Sequence, residues 1–335
     1  MKRFAFLSGL VGLTLFGLLV AYSGFDDVAG AVASAGWATA LVVAARAVAI
    51  LAAALAWRFL FPVGLSVSAG VAVVVRFIRE AVNNLLPVGQ VGGDLVGARL
   101  LTFSKLDGAL AGAVTIADVA VQAATQILFA LVGVAILFAL GGDSPIVRYA
   151  AGGLVVGVAL VAAFFLLQAR FGARWVSGVL RRLGSGRDWF GTALVERLWQ
   201  RLGAVYAIPA RVAASAIVHL VVWFLGSVEV YVALHFMGHP VTVAEAIVIE
   251  SLGQAVRGAA FVIPGGLGVQ EGGYIALCGL FGVPPGPALA LSLVKRVADL
   301  ALGLPFLIVW QVMEGRRALR PRSGATARPL AESPG

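Results

Sequence analysis

Six stretches of this chain run for about 20 residues with few charges. They cover roughly 4–22, 37–60, 110–140, 146–168, 209–236 and 288–313. A bilayer core offers no water to backbone N–H and C=O groups, so a spanning segment must be a helix or part of a closed barrel. Runs of this length predict transmembrane helices. Hydrophobic residues make up 61% of the chain and charged residues 12%, against about 25% charged in soluble domains. The mean hydropathy of +0.99 leaves no room for a large soluble domain. The expected class is all-α, a polytopic membrane protein.

The charge distribution orients it. The net charge is +9. Arg170, Arg174, Arg181, Arg182, Arg187, Arg197 and Arg201 fall in one interhelical stretch, and Arg316, Arg317, Arg320, Arg322 and Arg328 fall in the C-terminal tail. Basic loops stay cytoplasmic. With six crossings, both termini and both basic stretches land on that side. Nucleic-acid binding would need a folded basic module with base-reading residues, and none is visible. The run 4–22 follows Lys2 and Arg3 but has no clear cleavage site, so it reads as a retained helix. One cysteine, Cys278, excludes an internal disulfide. His219, His235 and His239 form no metal-ligand pattern. No metal and no cofactor are expected.

Two regions, 65–105 and 243–283, are too polar for ordinary spans and too apolar for loops. Each carries one string, P-x-G-x4-[D/E]: Pro87-Val-Gly89 followed by Asp94, and Pro264-Gly-Gly266 followed by Glu271. The two prolines stand 177 residues apart. Between crossings of fixed orientation, each region must enter and leave on one side. Each is expected to form a re-entrant helical hairpin, the first dipping from the cytoplasm and the second from outside. The order crossing, crossing, hairpin, crossing then occurs twice, with opposite orientation. This inverted repeat divides the chain into 1–145, with hairpin 65–105, and 146–313, with hairpin 243–283. A basic tail, 314–335, follows. The second half also holds a basic insertion at 169–203. Trp175, Val176, Val179, Leu180 and Leu183 recur at helical spacing, and so do Phe190, Leu194, Leu198 and Leu202, as in two short amphipathic helices at the cytoplasmic membrane surface.

Gly/Pro-interrupted segments at matching places in two halves point to a transport site built from broken helices. The first hairpin offers Arg76, Arg79, Glu80, Asn83, Asn84, Pro87, Gln90, Asp94 and Arg99. The second offers Glu250, Gln254, Arg257, Pro264, Gln270 and Glu271. Opened helix ends and arginines suit a polar or anionic headgroup. The same groups could also satisfy one another and the free backbone at the breaks. Gly89, Gly92, Gly93, Gly265, Gly266 and Gly268 would supply hinge freedom at two gates. Further charges lie within the spans: Arg46, Asp118, Glu229, Lys295, Arg296 and Asp299. Asp118 shifted by 177 falls on Lys295, so those two could pair across the repeat. Lys295 with Asp299, at i, i+4, is the local alternative.

The run Arg79-Glu-Ala-Val-Asn-Asn-Leu-Leu-Pro-Val-Gly-Gln-Val-Gly-Gly-Asp-Leu-Val-Gly-Ala-Arg-Leu-Leu101 resembles the lysylphosphatidylglycerol synthase transmembrane-region, or flippase-like, family. Ile263-Pro-Gly-Gly-Leu-Gly-Val-Gln-Glu-Gly273 is similar to its second signature. The Asn-Asn-Leu-Leu-Pro and Val-Gly-Gly-Asp wording is nearest the hopanoid-biosynthesis-associated, HpnL-type branch. The resemblance implies a bacterial inner-membrane protein that moves lipids between leaflets, or hopanoids toward the outer membrane. The arginines suit an anionic phospholipid, and lipid-biosynthesis proteins are expected among the partners. Many relatives carry Arg or Glu where this chain has Val91 to Gly93, which weighs against a phospholipid. The family's soluble synthase domain has no counterpart here. Two other function classes fit less well. A lipid-modifying enzyme would use Asp94 and Glu271 as acid and base. A scaffold for a lipid-synthesis complex would use the basic insertion and tail.

Overall fold

The computed structural model describes residues 30, 33–65, 67–86, 91–140, 152, 191–259 and 268–319. Among these residues the structure is helical and contains no strand. In chain order the main helices are α1 (Trp37–Phe59), α2 (Ala69–Leu85), α3 (Gly92–Leu101), α4 (Gly108–Ala139), α5 (Gly191–Tyr206), α6 (Pro209–Phe236), α7 (Val243–Ala259), α8 (Val269–Gly279) and α9 (Pro285–Leu319). Among them α1, α4 and α6 are long and apolar enough to cross a membrane. Helix α9 falls on the expected run 288–313 but carries Lys295, Arg296 and Asp299. The expected crossings 4–22 and 146–168 lie outside the described residues, as do the corners at Pro87 and Pro264.

Local chemistry sets the helix starts. Ser68 precedes α2, and its Oγ accepts from the Val71 N–H at 3.3 Å, an N-cap bond. Thr242 and Glu245 at the start of α7 bond reciprocally, backbone to side chain, at 2.6 and 3.2 Å. Pro209 opens α6, where its missing N–H has no intrahelical partner to lose. Before α8, Gly268 takes φ +78°, a left-handed conformation that glycine adopts without penalty. Its N–H donates to the Glu271 carboxylate at 2.7 Å.

The helices pack in two matched sets. Helix α1 lies along α6. Helix α2 packs on α3 and on α9, while α7 packs on α8 and on α4. Helix α3 also meets α4, and α8 meets α9. Two close approaches need glycine. A Cβ on Gly133 of α4 would overlap the Ser251 hydroxyl of α7, and one on Gly303 of α9 would stand 2.6 Å from Leu85 of α2.

Two apolar cores form at opposite ends of the bundle. One gathers Trp57, Phe61, Val75, Leu101, Leu110 and Trp310. The other gathers Val42, Leu137, Leu234, Ile249, Tyr274 and Leu291. The outer faces of α1, α4 and α6 expose large apolar side chains, among them Trp37, Leu51, Leu131, Phe138, Ile217 and Val228. A belt of this kind suits lipid and not water.

Of the basic insertion, residues 169–190 lie outside the described residues, and the rest falls in α5. Helix α5 packs on α4, and its Leu202 and Val205 are buried in the core that holds Trp57. A Cβ on Gly112 of α4 would meet Leu198 at 3.0 Å. Leu198 and Leu202 of the apolar stripe are therefore spent on protein, at a groove that Gly112 of α4 leaves open.

Candidate functional site

Between the two apolar cores lies a polar layer. Arg46 sits midway along α1, Asp118 and Gln122 within α4, and His219, Trp223 and Glu229 within α6. Arg46, Gln122, His219, Trp223 and Glu229 surround a cavity of about 420 Å³, to which α2, α3 and α7 also contribute. Charges at such a depth are costly in apolar surroundings and persist when paired.

The first wall is centred on a carboxylate. Asp118 is fully buried. It receives Arg76 Nη1 at 2.8 Å, Gln122 Nε2 at 2.9 Å and the His219 Nε2 at 2.9 Å. Arg79 Nη1 forms an ion pair with it at 2.8 Å. Arg76 also pairs with Glu80 at 2.8 Å. Arg79 reaches across to α3, donating from Nε and Nη2 to Asp94 at 2.9 and 2.5 Å. Its guanidinium lies 4.5 Å from the Trp57 ring centroid, a favourable cation–π placement. Asn83 accepts from the Gly93 N–H at 2.7 Å, so α2 satisfies a free amide at the opened start of α3. Space permits this because Gly93 and Gly97 lack side chains. A Cβ at Gly93 would collide with the Arg79 carbonyl oxygen, and one at Gly97 would stand 2.5 Å from Arg79 Cδ.

The second wall is centred on a cation. Lys295 is 2% exposed and meets Glu229 at 2.9 Å and Glu250 at 2.8 Å. Glu250 also accepts from Tyr274 at 3.0 Å and Gln254 at 2.8 Å. Arg46 grips Glu229 through Nε and Nη2 at 2.7 and 2.6 Å, and Asp299 through Nη1 at 2.5 Å. Such two-pronged pairs hold geometry as well as charge. Asn84 links the walls, accepting from Arg257 at 2.7 Å and donating to Asp299 at 3.4 Å. Gly226 leaves room for Glu250, whose Oε1 would stand 2.7 Å from an added Cβ.

Of the residues singled out from sequence, Arg76, Arg79, Glu80, Asn83, Asn84, Asp94, Glu250, Gln254 and Arg257 line this cavity. Three others lie elsewhere. Arg99 is exposed and bonds Glu314 at 2.7 Å, an interaction that raises its guanidinium above its usual value. Glu271 caps α8 and pairs with Arg296 at 2.6 Å. Gln270 donates to Ser292 at 3.1 Å. Pro87, Gly89, Gln90, Pro264, Gly265 and Gly266 lie outside the described residues. The expected partners of the spanning charges change as well. Asp118 pairs with α2 and α6 instead of Lys295, and Asp299 pairs with Arg46 instead of Lys295. Asp118 and Lys295 each face their own neighbours.

Gln122, Gln126, His219 and Trp223 also line the cavity, and the sequence reading assigned them no role. A signal existed. Asp118, Gln122 and Gln126 form an i, i+4, i+8 stripe within an apolar run, and His219, Trp223, Gly226 and Glu229 share one face of α6. Among the described residues, no group of three or more His, Cys, Asp or Glu could hold a metal ion.

A family model described as the lysylphosphatidylglycerol synthase TM region matches residues 7–306. A UPF0104 membrane protein from Methanothermobacter thermautotrophicus (strain Delta H) is 26% identical over 248 residues, covering 66% of this chain and 68% of the relative. No solved structure matches the chain.

Proposed function

The chain belongs to the lysylphosphatidylglycerol synthase TM-region family, and from that membership we propose that it moves a membrane lipid between leaflets, holding its headgroup in the polar cavity. The cavity carries this reading. Its volume of about 420 Å³ falls in the range of small-molecule sites. It lies in the polar layer between two apolar cores, within helices whose outer faces suit lipid. Intramembrane charges mark substrate and ion paths by default. Arginines and carboxylates occur together on its walls, so the headgroup is polar and makes several hydrogen bonds.

The matched helix sets support an inverted repeat. Helices α3 and α8 begin at Gly92 and Val269, 177 residues apart, and α4 and α9 begin at Gly108 and Pro285, with the same separation. Their packing partners exchange in the same way. In this reading α2–α3 and α7–α8 are the two re-entrant hairpins, six helices cross the bilayer, and both termini face the cytoplasm of a bacterial inner membrane. Inverted halves can exchange conformations, which makes inward- and outward-open states near-equivalent in energy. The resemblance of the Asn83-Asn84 segment to the hopanoid-associated branch favours a hopanoid as cargo over an anionic phospholipid.

The test is lipid movement in vesicles reconstituted with purified protein and loaded with headgroup-labelled hopanoid or phospholipid. We expect protein-dependent movement that falls at least tenfold in Glu250→Gln and Asp94→Asn. Movement equal in empty vesicles, or unchanged in both variants, overturns the assignment. Mass spectra of co-purified lipid then separate the hopanoid from the phospholipid.

A further inference from the structure

Among the described residues, the permanent charges of the polar layer do not sum to zero. On the Lys295 side, Arg46 and Lys295 meet Glu229, Glu250 and Asp299, and Arg257 stands beside them on Asn84, three cations among three carboxylates. On the Asp118 side, Arg76 and Arg79 face Glu80, Asp94 and Asp118. Two permanent cations stand against three carboxylates there. The missing positive charge falls where His219 sits. Its imidazole is 1% exposed, lines the cavity and holds Asp118 at 2.9 Å. Imidazole is the ordinary side chain whose charge changes near neutral pH. Burying an uncompensated carboxylate in an apolar bundle is expensive, and a proton is the smallest ligand that relieves it.

We propose that His219, with Asp118, is a proton-binding site that couples lipid movement to a proton gradient. The inference rests on the transport reading above and supplies its energy source. His219 is the contact through which α6 holds Asp118, and Asp118 in turn holds both arginines of α2. With the imidazole protonated, the Asp118 side is neutral and α6 is latched to α2 and α4. With the proton gone, one carboxylate is uncompensated and the latch is weakened. Because His219 lines the cavity, the proton can arrive by the route the headgroup uses. Binding of a proton in one state and its release in the other then links the two movements.

The experiment uses full-length protein in vesicles holding labelled lipid and an internal pH dye, with an imposed gradient of one pH unit. One coupled proton supplies a lipid asymmetry of roughly tenfold for that gradient. We expect the wild type to approach that ratio while the dye reports proton entry. His219→Gln is expected to show a ratio near one at every gradient. Wild-type movement that ignores the gradient, or an unchanged response in His219→Gln, overturns the coupling and leaves the transport reading intact. Lipid that moves in no condition overturns the transport reading and the coupling with it. A second measurement does not depend on that variant folding. In the His235→Gln/His239→Gln protein, the remaining imidazole is followed by nitrogen NMR in micelles. The imidazole is expected to take up a proton, and one that stays neutral throughout overturns the proposal.

Discussion

Asp118 and Lys295 occupy corresponding places in α4 and α9, yet they carry opposite charges. Around Asp118 stand Arg76, Arg79 and His219; around Lys295 stand Glu229 and Glu250. One arrangement is the charge-reversed counterpart of the other. The difference teaches that a buried position in an apolar bundle constrains compensation more than sign. A carboxylate or an ammonium serves equally, provided neighbouring helices bring the opposite charge within about 3 Å. Both cavity walls nonetheless present both signs, Arg76, Arg79, Glu80 and Asp94 on one side and Arg46, Arg257, Glu229 and Glu250 on the other.

Removing the centre of either arrangement is the strongest way to break the comparison. Asp118→Asn leaves two buried arginines without their shared carboxylate and should destabilise by about 4 kcal/mol. Lys295→Met strands two carboxylates, where Asp118 has two arginines and a histidine as partners, and should cost about 3 kcal/mol. Adding Glu250→Gln to Lys295→Met should recover at least half of that loss, whereas adding it to Asp118→Asn should recover nothing. Thermal unfolding in one detergent compares all four proteins. Equal losses for the two single variants would mean that the partner number does not matter.

A finer contrast lies at the starts of α3 and α8. An alanine at Gly93 would press on the Arg79 carbonyl and the Asn83 amide, and the shift it forces should cost about 1–3 kcal/mol. Gly272 of α8 has nothing within 4 Å of an added Cβ. Gly272→Ala should instead stabilise by about 0.5–1 kcal/mol through helix propensity. The same unfolding measurement decides, and a matching sign for the two substitutions would show the hairpins to be equally tight. The smallest effect is expected at Arg99. Its side chain is 53% exposed, and an exposed pair with Glu314 is worth at most about 1 kcal/mol after screening by solvent. Arg99→Gln should lie within that limit, and its effect should vanish in high salt.

The helices were legible because apolar runs and their interruptions are local properties. Helices α1, α4, α6 and α9 fall on four of the expected runs, and each broken region yields two helices packed on each other. The polar faces of α2 and α7 were legible for the same reason, since Arg76–Glu80 and Gln254–Glu250 are both i, i+4 contacts. The pairing across the bundle was not. Arg46 finds Glu229 and Asp299 at separations of 183 and 253 residues, and only the rotation of α1 against α6 and α9 decides that. The contact of α5 with α4 was hidden for a related reason, because an amphipathic stripe does not say what lies against it.

The reach of Arg46 has a consequence for how the protein is made. Chains grow at roughly 5–20 residues per second. Helix α1 therefore waits on the order of ten seconds or more before Glu229 of α6 is synthesised, and longer for Asp299. Throughout that interval its arginine enters the bilayer without the carboxylates that neutralise it, against about 2.5–3.5 kcal/mol of insertion cost. The apolar residues around it hold α1 in place meanwhile. The first half is thus inserted provisionally and becomes fixed only when the second half arrives, so a ribosome that stalls before α6 leaves a membrane-inserted fragment with an exposed charge for quality-control proteases to find.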